Sequence, residues 1–290
     1  MDRYWRDNDL RPSFEHARAL TARHAKSFYI SARFLPPERR WGTYALYGFC
    51  RYADNLIDLP RQRTREQQLL EISHLADELD IAYQAGESEH PILKPFVAVA
   101  ARYGIPMEYP RDLLRGCEMD IRFTGYETFK DLYVFCYRVA GVVGLMMTHI
   151  LGYTNDEAFV PAEKLGIAMQ LTNILRDIQE DKNMGRIYLP RQELKACQVA
   201  DEDILAERMS PNLASLIRSQ VERAYEYYQQ ADRGIPMLAK SSQFAIYSAS
   251  RIYRGILYKI ERQGYNPFLG RAYLPLRQKM AILLHEWLRR

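Results

Sequence analysis

Apolar residues recur along the whole chain at the spacing of helix faces, as Leu171, Leu175 and Ile178 do near its middle. Gly and Pro are few, and no low-complexity tract or internal repeat interrupts the pattern. The pattern predicts helices over 13–29, from Pro36-Pro37 to just before Pro60, and over 62–84, 91–103, 133–151, 164–181, 212–233 and 280–288. The chain is therefore predicted to be all-α. Because no linker divides it, residues 1–290 are expected to form one domain.

The predicted helix 164–181 is mostly apolar, yet it carries a polar stripe. Asn173, Asp177 and Asp181 lie four residues apart, so their side chains advance by about 6 Å and drift by about 40° per step. Mg²⁺ prefers oxygen ligands and commonly uses one or two carboxylates together with phosphate and water. The stripe therefore suits a metal-bound diphosphate. Alternatively, these carboxylates lie on a solvated helix face and pair with Arg176 or other nearby cations.

A second acidic pair lies far away in sequence, on the helix that ends before Pro60. Asp54 and Asp58 are again four residues apart, and Arg51 precedes Asp54 by one turn. A structural Arg51–Asp54 ion pair would explain part of this pattern. It does not explain why two apolar helices each carry paired carboxylates, which are seldom buried without partners. We therefore expect the two pairs to face each other across a cleft and to hold several Mg²⁺ ions.

Composition narrows the function class only slightly. The net charge is +4, and basic residues are interspersed with acidic ones, which weakly favours anionic ligands or a membrane surface and does not support nucleic-acid binding. The four cysteines lack CxxC spacing and are expected to be reduced thiols of a cytoplasmic protein. They are Cys50, Cys117, Cys136 and Cys197.

The sequence does not predict an integral membrane protein. Its first ten residues are polar, unlike a signal peptide, and its most apolar run, Val139–Thr148, is too short to span a bilayer. The segment Met280–Leu288 is apolar on one side and is followed by Arg289-Arg290. It is expected either to dock on the protein's own core or to touch a membrane peripherally.

Some residues have a less specific interpretation. Glu118 and Asp120 follow Arg115 and are predicted to be surface charges. Gly141 and Gly144 remove side-chain bulk from the helix 133–151, which either opens a groove for a prenyl chain or permits close helix packing. Both interpretations fit the sequence.

The acidic motifs and their surroundings resemble those of the squalene and phytoene synthase family. The matching residues are Asp54-xxx-Asp58, Asn173-Ile-Leu-Arg-Asp-xxx-Asp181, Gly185-Arg-Ile-Tyr-Leu-Pro190, His24 to Phe28, Phe135 to Gly144, Arg251 to Leu257, and Arg271 to Tyr273. The second acidic motif and its tail are highly specific, whereas the first is less so. Together the matches extend from about residue 15 to about residue 275.

This resemblance implies an isoprenoid-synthase helical bundle with a central cavity. Two prenyl diphosphates would join head to head through a cyclopropylcarbinyl diphosphate, with Mg²⁺ required. It implies Mg²⁺ ligands at Asp54, Asp58, Asn173, Asp177 and Asp181. It implies diphosphate contacts from His24, Lys26, Ser27, Arg51, Arg176 and Arg271, and a catalytic contact from Tyr253. The prenyl pocket is expected to include Phe28, Phe135, Tyr137, Val139, Gly141, Gly144, Gln170 and Tyr188.

Two positions depart from the family pattern. Asn55 follows Asp54 where members often have a second Asp; since it lies about 100° from the Asp54–Asp58 stripe, metal binding is expected to survive. Phe135 stands where some members carry Tyr, which removes a hydroxyl that would steer rearrangement of the intermediate.

Several functions are compatible with the sequence. The leading prediction is phytoene from two geranylgeranyl diphosphates or dehydrosqualene from two farnesyl diphosphates. Squalene or hydroxysqualene formation is the alternative, and squalene would require NADPH, for which no G-x-G-x-x-G motif is visible. More distant alternatives are a terpene cyclase that acts on one diphosphate and a helical assembly partner without catalysis.

Overall fold

The computed structural model describes residues 3–58 and 63–288, except for the side chains of Ser27 and Asp58. These residues form helices joined by short loops and contain no β-strand, which confirms the predicted all-α class. Helices α1 to α14 span, in order, Arg11–His24, Lys26–Ala32, Pro37–Asp58, Arg65–Ala85, Leu93–Tyr103, Glu108–Ile121, Phe129–Cys136, Val142–Leu151, Phe159–Asn183, Arg191–Ala196, Asp201–Leu205, Pro211–Asp232, Lys240–Arg262 and Leu276–Leu288. The single-domain organisation stays a prediction.

Some helix boundaries, such as those of α4 and α12, follow from local sequence signals. Thr64 caps α4 in a reciprocal capping box with Gln67, and Gly86 ends that helix with a φ of 75°, a conformation that favours glycine. Ser210 accepts a hydrogen bond from the Leu213 amide at the start of α12. These signals explain why the predicted and observed limits agree closely.

Two predicted helices are divided. The segment 13–29 breaks at Ala25, whose φ of −128° and ψ of 60° separate α1 from α2. The segment 133–151 begins earlier than predicted, at Phe129, and a π-helical turn over Tyr137–Gly141 separates α7 from α8. A π-turn is a local distortion that hydrophobic periodicity does not reveal.

Of the two interpretations of Gly144, a groove for a prenyl chain and close helix packing, the structure favours close helix packing. A Cβ atom on Gly144 would lie 2.2 Å from the Ala162 carbonyl oxygen, and one on Gly166 would lie 2.1 Å from the Ala140 carbonyl oxygen. Since neither neighbour is a flexible side chain, α9 can approach α8 and the π-turn this closely only because both positions are glycine.

Two clusters of buried apolar side chains hold the helices together. The first joins α1, α3 to α6 and α8, and the second joins α7 with α9 to α13. Within the second cluster α12 packs along α9, where the fully buried Tyr228 lies 3.0 Å from the Thr172 hydroxyl. A cavity is lined by side chains from both clusters.

One helical segment is longer and more apolar than the sequence analysis predicted. Phe129–Leu151 has 23 residues, and by length and composition it is able to cross a membrane. However, 56% of its most apolar window is buried inside the protein, and α8 packs against α9. Core helices commonly meet the same criteria, so this segment is weak evidence for a membrane span.

Candidate active site

The cavity has a volume of about 820 Å³ and combines apolar walls with clustered charges. Leu46 and Met147 of the first cluster and Phe135 and Ile174 of the second contribute to its apolar lining. Four of the helices that line it, α3, α6, α9 and α13, are well separated in sequence. Its charged lining residues are Arg23, His24, Lys26, Arg51, Asp54, Asp120, Arg176, Asp177, Glu180, Asp181, Arg186 and Arg271.

On α3, the predicted ion pair is present at the cavity. Arg51 donates a hydrogen bond of 2.5 Å to Asp54, and both residues line the cavity. The Nε atom of Arg51 is buried and has no hydrogen-bond partner. Asp58 ends α3, but its side chain lies outside the described part of the structure. Asn55 does not line the cavity, in agreement with its predicted position off the acidic stripe.

On α9, all three residues of the predicted stripe line the cavity, so they do not lie on a solvated helix face, although the pairing with Arg176 that this alternative predicted is present. Asp177 is only 16% exposed, and it is bonded to Arg176 at 2.5 and 2.8 Å and to Arg271 at 2.9 Å. Burial, together with the neighbouring Asp177 carboxylate, raises the pKa of Asp181 to about 7. The side-chain oxygen of Asn173 is buried and accepts no hydrogen bond.

The charged groups of α3 and α9 share the same electrostatic environment. Burial raises the pKa of Tyr47 on α3 to about 12, with Arg51 opposing the rise and Tyr253 adding to it. Burial also raises the pKa of Tyr253, which in turn interacts with Arg176 and Asp177. Tyr253 on α13 therefore interacts electrostatically with Tyr47 of α3 and with Arg176 and Asp177 of α9.

Cations from α1 and α2 line the same cavity. His24 ends α1, and burial together with the positive charges of Arg51 and Arg23 lowers its pKa. Lys26 opens α2 one residue after the break at Ala25. Ser27 is the one predicted diphosphate ligand whose side chain the structure does not describe.

Most predicted prenyl-pocket residues lie in the cavity wall, namely Phe28, Phe135, Val139, Gly144, Gln170 and Tyr188. Tyr137 and Gly141 do not line the cavity, contrary to the prediction. Both residues lie in the π-turn, where Tyr137 packs against the first cluster and its ring lies 3.1 Å from the position of a Cβ atom on Gly141. Gly144 lines the cavity, although its lack of a side chain is explained by packing against Ala162.

The prediction that Asp120 is a surface charge is wrong. Asp120 is 8% exposed and lines the cavity, where it accepts hydrogen bonds from Tyr188 at 2.5 Å and pairs with Arg186 at 3.1 Å. A sequence signal existed, because Asp120 lies seven residues after Leu113 and three after Cys117, on the apolar face of α6.

The chemistry of these groups suits a hard divalent cation. Asn173 offers an unused buried oxygen, and the raised pKa of Asp181 shows that added positive charge would be favourable there. Among the side chains that the structure describes, no three His, Cys, Asp or Glu residues converge into a preformed metal cluster. Asp177 is instead paired with arginines.

A helical bundle around a cavity that joins acidic and arginine side chains to apolar walls defines an isoprenoid synthase. A sequence model described as squalene/phytoene synthase matches residues 21–278. The chain belongs to the squalene/phytoene synthase family, which is a family of prenyltransferases.

Curated relatives and solved structures agree with this assignment. The chain is 35% identical to the 15-cis-phytoene synthase of Synechocystis over 96% of this chain and 85% of the relative. It is also 35% identical to the 15-cis-phytoene synthase of Synechococcus elongatus, over 94% of this chain and 92% of the relative. A crystal structure of a dehydrosqualene synthase in complex with ligand covers 96% of both chains with a TM-score of 0.89 and 31% identity. A crystal structure of the squalene synthase HpnC from Alicyclobacillus acidocaldarius matches with a TM-score of 0.83 and 29% identity. The match covers 90% of this chain and 98% of the HpnC chain.

Proposed function

We propose that the chain joins two prenyl diphosphates head to head through a cyclopropylcarbinyl diphosphate, and that its main product is phytoene made from two geranylgeranyl diphosphates. The observation that carries this proposal is the cavity, which combines the Asp177–Arg176–Arg271 ion-pair cluster with apolar walls. The curated phytoene synthases at 35% identity support the product. The dehydrosqualene synthase structure supports the same reaction with two farnesyl diphosphates.

The cationic side chains would bind the diphosphate groups. Arg51, Arg176 and Arg271 are planar fork donors, and each is already paired with a carboxylate. Lys26 adds positive charge from α2, and the His24 imidazole, whose pKa is lowered, would contribute a hydrogen bond from the end of α1. Because a departing diphosphate is highly charged, these donors would stabilise the leaving group more strongly than the intact substrate.

Mg²⁺ fits the acidic side of the cavity. Its proposed ligands are Asp54, Asp58, Asn173, Asp177 and Asp181, which supply oxygen atoms only. When bound, Mg²⁺ would act as a Lewis acid that neutralises diphosphate. The arginines bonded to Asp177 then become available to the substrate, since one carboxylate cannot satisfy all of these cations.

The apolar wall would protect the carbocation that remains after diphosphate departure. Phe28, Phe135 and Val139 exclude water from this part of the cavity. Aromatic faces also attract positive charge, so the wall favours the cation electrostatically as well as sterically.

Product analysis tests this proposal. The protein is incubated separately with geranylgeranyl and farnesyl diphosphate, with and without Mg²⁺ and NADPH, and the products are identified by mass. We expect phytoene from geranylgeranyl diphosphate only with Mg²⁺ and without any need for NADPH. A cyclised product of single-chain length, or the absence of diphosphate release, would contradict the proposal.

Squalene formation is the second candidate, favoured by the similarity to HpnC. It differs at the last step, because squalene requires a hydride donor. Accumulation of squalene from farnesyl diphosphate only when NADPH is present would favour this candidate over phytoene.

We also propose that α14 contacts the surface of an anionic lipid bilayer. Leu276, Met280, Leu284, Trp287 and Leu288 are each more than half exposed, and their spacing places them on one stripe of the helix. The opposite face of α14 docks on α13, as expected, with Leu283 only 4% exposed, and this docking leaves the stripe uncovered. Exposed apolar stripes of this kind are typical of helices that lie in a membrane interface.

The charges of α14 match an anionic surface. Arg277 is exposed beside the stripe, whereas the one acidic residue of α14, Glu286, is 7% exposed and lies 3.5 Å from Arg251. Burial, and next the positive charge of Lys26, lowers the pKa of Lys279, so α14 lies near a residue that lines the cavity. A cytoplasmic location of the protein stays a prediction.

Vesicle sedimentation tests this contact. Wild-type protein is expected to bind phosphatidylserine-containing vesicles more tightly than phosphatidylcholine vesicles, and Leu284→Ser with Trp287→Ser is expected to abolish binding. Leu70→Ser, which changes an exposed leucine on α4, is the matched control. Unchanged vesicle binding by the double variant would contradict a lipid partner. A wild-type protein that is dimeric and becomes monomeric in the double variant would instead assign the stripe to a second copy of the chain.

A further inference from the structure

The wall of the cavity contains a hydrogen-bonded group formed by Tyr188, Asp120 and Arg186. None of the predicted roles involves the hydrogen bonds of this group. The Tyr188 hydroxyl donates to one oxygen of Asp120 at 2.5 Å, and Arg186 lies 3.1 Å from the other oxygen. Tyr188 and Asp120 are each 8% exposed, and all three residues line the cavity. A buried carboxylate held in this way is a strong hydrogen-bond acceptor.

Aromatic rings surround this group. Tyr188 stacks on Phe135 with a centroid distance of 5.5 Å and an interplanar angle of 20°, and Tyr126 stacks at 5.5 Å on Phe135. Phe135 and Tyr188 both line the cavity, so a cation there would meet their ring faces. Since Phe135 has no hydroxyl, the polar atom that this pair of rings presents belongs to Tyr188.

The other hydroxyl groups of the described cavity lining are differently engaged. Thr148 donates to the Gly144 carbonyl oxygen at 2.9 Å, and Tyr253 interacts with the Arg176 guanidinium. Tyr47 has no hydrogen bond to a carboxylate among the described contacts. Tyr188 is thus the hydroxyl whose proton already points to a carboxylate, which leaves its oxygen lone pairs free to accept another proton.

On the basis of the proposed function, we propose that Tyr188 and Asp120 form the proton acceptor that converts the final carbocation into a hydrocarbon. A C–H bond next to the cationic carbon breaks, and its electron pair forms the new C=C bond. The proton goes to the Tyr188 oxygen as the Tyr188 proton passes to the Asp120 carboxylate. The step needs no oxidant or reductant, and Asp120 returns its proton to solvent after product release.

The electrostatic setting agrees with this relay. Burial, and next the Asp120 carboxylate, raise the pKa of Tyr188, so the hydroxyl stays protonated and transfers its own proton as it gains another. Arg186 balances the charge of Asp120 and also donates its backbone amide to the Asp181 carbonyl oxygen at 2.9 Å. A carbocation is such a strong acid that a carboxylate paired with arginine is basic enough.

The test measures how the final cation is partitioned. Wild type, Tyr188→Phe and Asp120→Asn are incubated with Mg²⁺ and labelled prenyl diphosphate, and hydrocarbon, alcohol and released diphosphate are quantified. In both variants we expect the ratio of hydrocarbon to diphosphate to fall by about tenfold or more, with alcohol formed by water capture in its place. Tyr126→Phe is the control, because it removes a buried hydroxyl without a partner from the same aromatic stack.

The outcomes separate this inference from the proposed function. A hydrocarbon-to-diphosphate ratio in Tyr188→Phe within about twofold of wild type would overturn the relay. A proportional loss of hydrocarbon and diphosphate release would also overturn it, since that result indicates a structural role. If wild type itself forms no two-chain product, the condensation proposal fails instead. Circular dichroism and thermal melting of each variant establish that the fold is retained.

Discussion

The protonation of Asp181 is expected to make the stability of the metal-free protein depend on pH. Its pKa rises from the ordinary 3.8 to about 7 in the folded protein, chiefly because of burial and then because of the Asp177 carboxylate. The unfolded chain binds fewer protons than the folded one between these two values. The free energy of unfolding therefore falls as the pH rises from about 4 to about 7, and it levels off above that.

The magnitude follows from linkage. A rise from 3.8 to about 7 corresponds to a total loss of about 4 kcal/mol, of which about 2–3 kcal/mol falls between pH 5 and pH 8. Asp181→Asn removes this ionisation. The free energy of unfolding of the variant is therefore expected to rise relative to that of wild type by the same amount between pH 5 and pH 8. Mg²⁺ is expected to reduce the pH dependence of wild type, because it favours the ionised carboxylate.

Urea unfolding in metal-free buffer at pH 5 and pH 8 measures this effect. The free energy of unfolding of Asp181→Asn is compared with that of wild type at each pH. The change of this difference between pH 5 and pH 8 is the informative quantity, because the titration of all other groups cancels in it. Glu180→Gln is the matched control, since it removes an adjacent carboxylate that is 53% exposed. Parallel pH profiles for wild type and Asp181→Asn would refute the buried, charge-coupled environment of Asp181.

Three further outcomes are expected. Asp177→Ala should lower kcat by at least about a hundredfold with helical circular dichroism retained, because it removes a proposed metal ligand and the partner of Arg271; wild-type-like rates would exclude this role. Arg271→Ala, by contrast, should mainly raise KM, by about tenfold, because the side chain is half exposed and is proposed to bind substrate; an unchanged KM in substrate titrations would contradict this. Gly166→Ala should destabilise the fold by about 1–3 kcal/mol, because its Cβ would lie 2.1 Å from the Ala140 carbonyl oxygen. Gly42→Ala is expected to lower the free energy of unfolding by less, since the nearest neighbour of its Cβ atom is a side-chain methyl group at 3.0 Å. Equal losses of free energy in urea unfolding of the two variants would argue against the backbone clash at Gly166.

Helical periodicity and local spacing predicted most of the long helices and the stripe on α9, but they gave no bounds for α6 or α13. Asn173, Asp177 and Asp181 share a face because residues four apart do so in any α-helix. Capping signals likewise set the ends of helices such as α4. The family resemblance is confirmed by the comparisons, whereas the individual metal and substrate roles stay predictions.

The chain's own sequence thus determined which side chains share a helix face, but only the tertiary structure decided what each face meets. Asp177 finds Arg271 across 94 residues, and Asp120 finds Tyr188 across 68. Tyr137 lies in the π-turn and packs against the first cluster instead of lining the cavity, although the periodicity of the sequence continues through the turn. The physical reason is that the orientation of a side chain on its own helix depends on nearby residues, whereas its burial, partner and pKa depend on which distant helix packs against it.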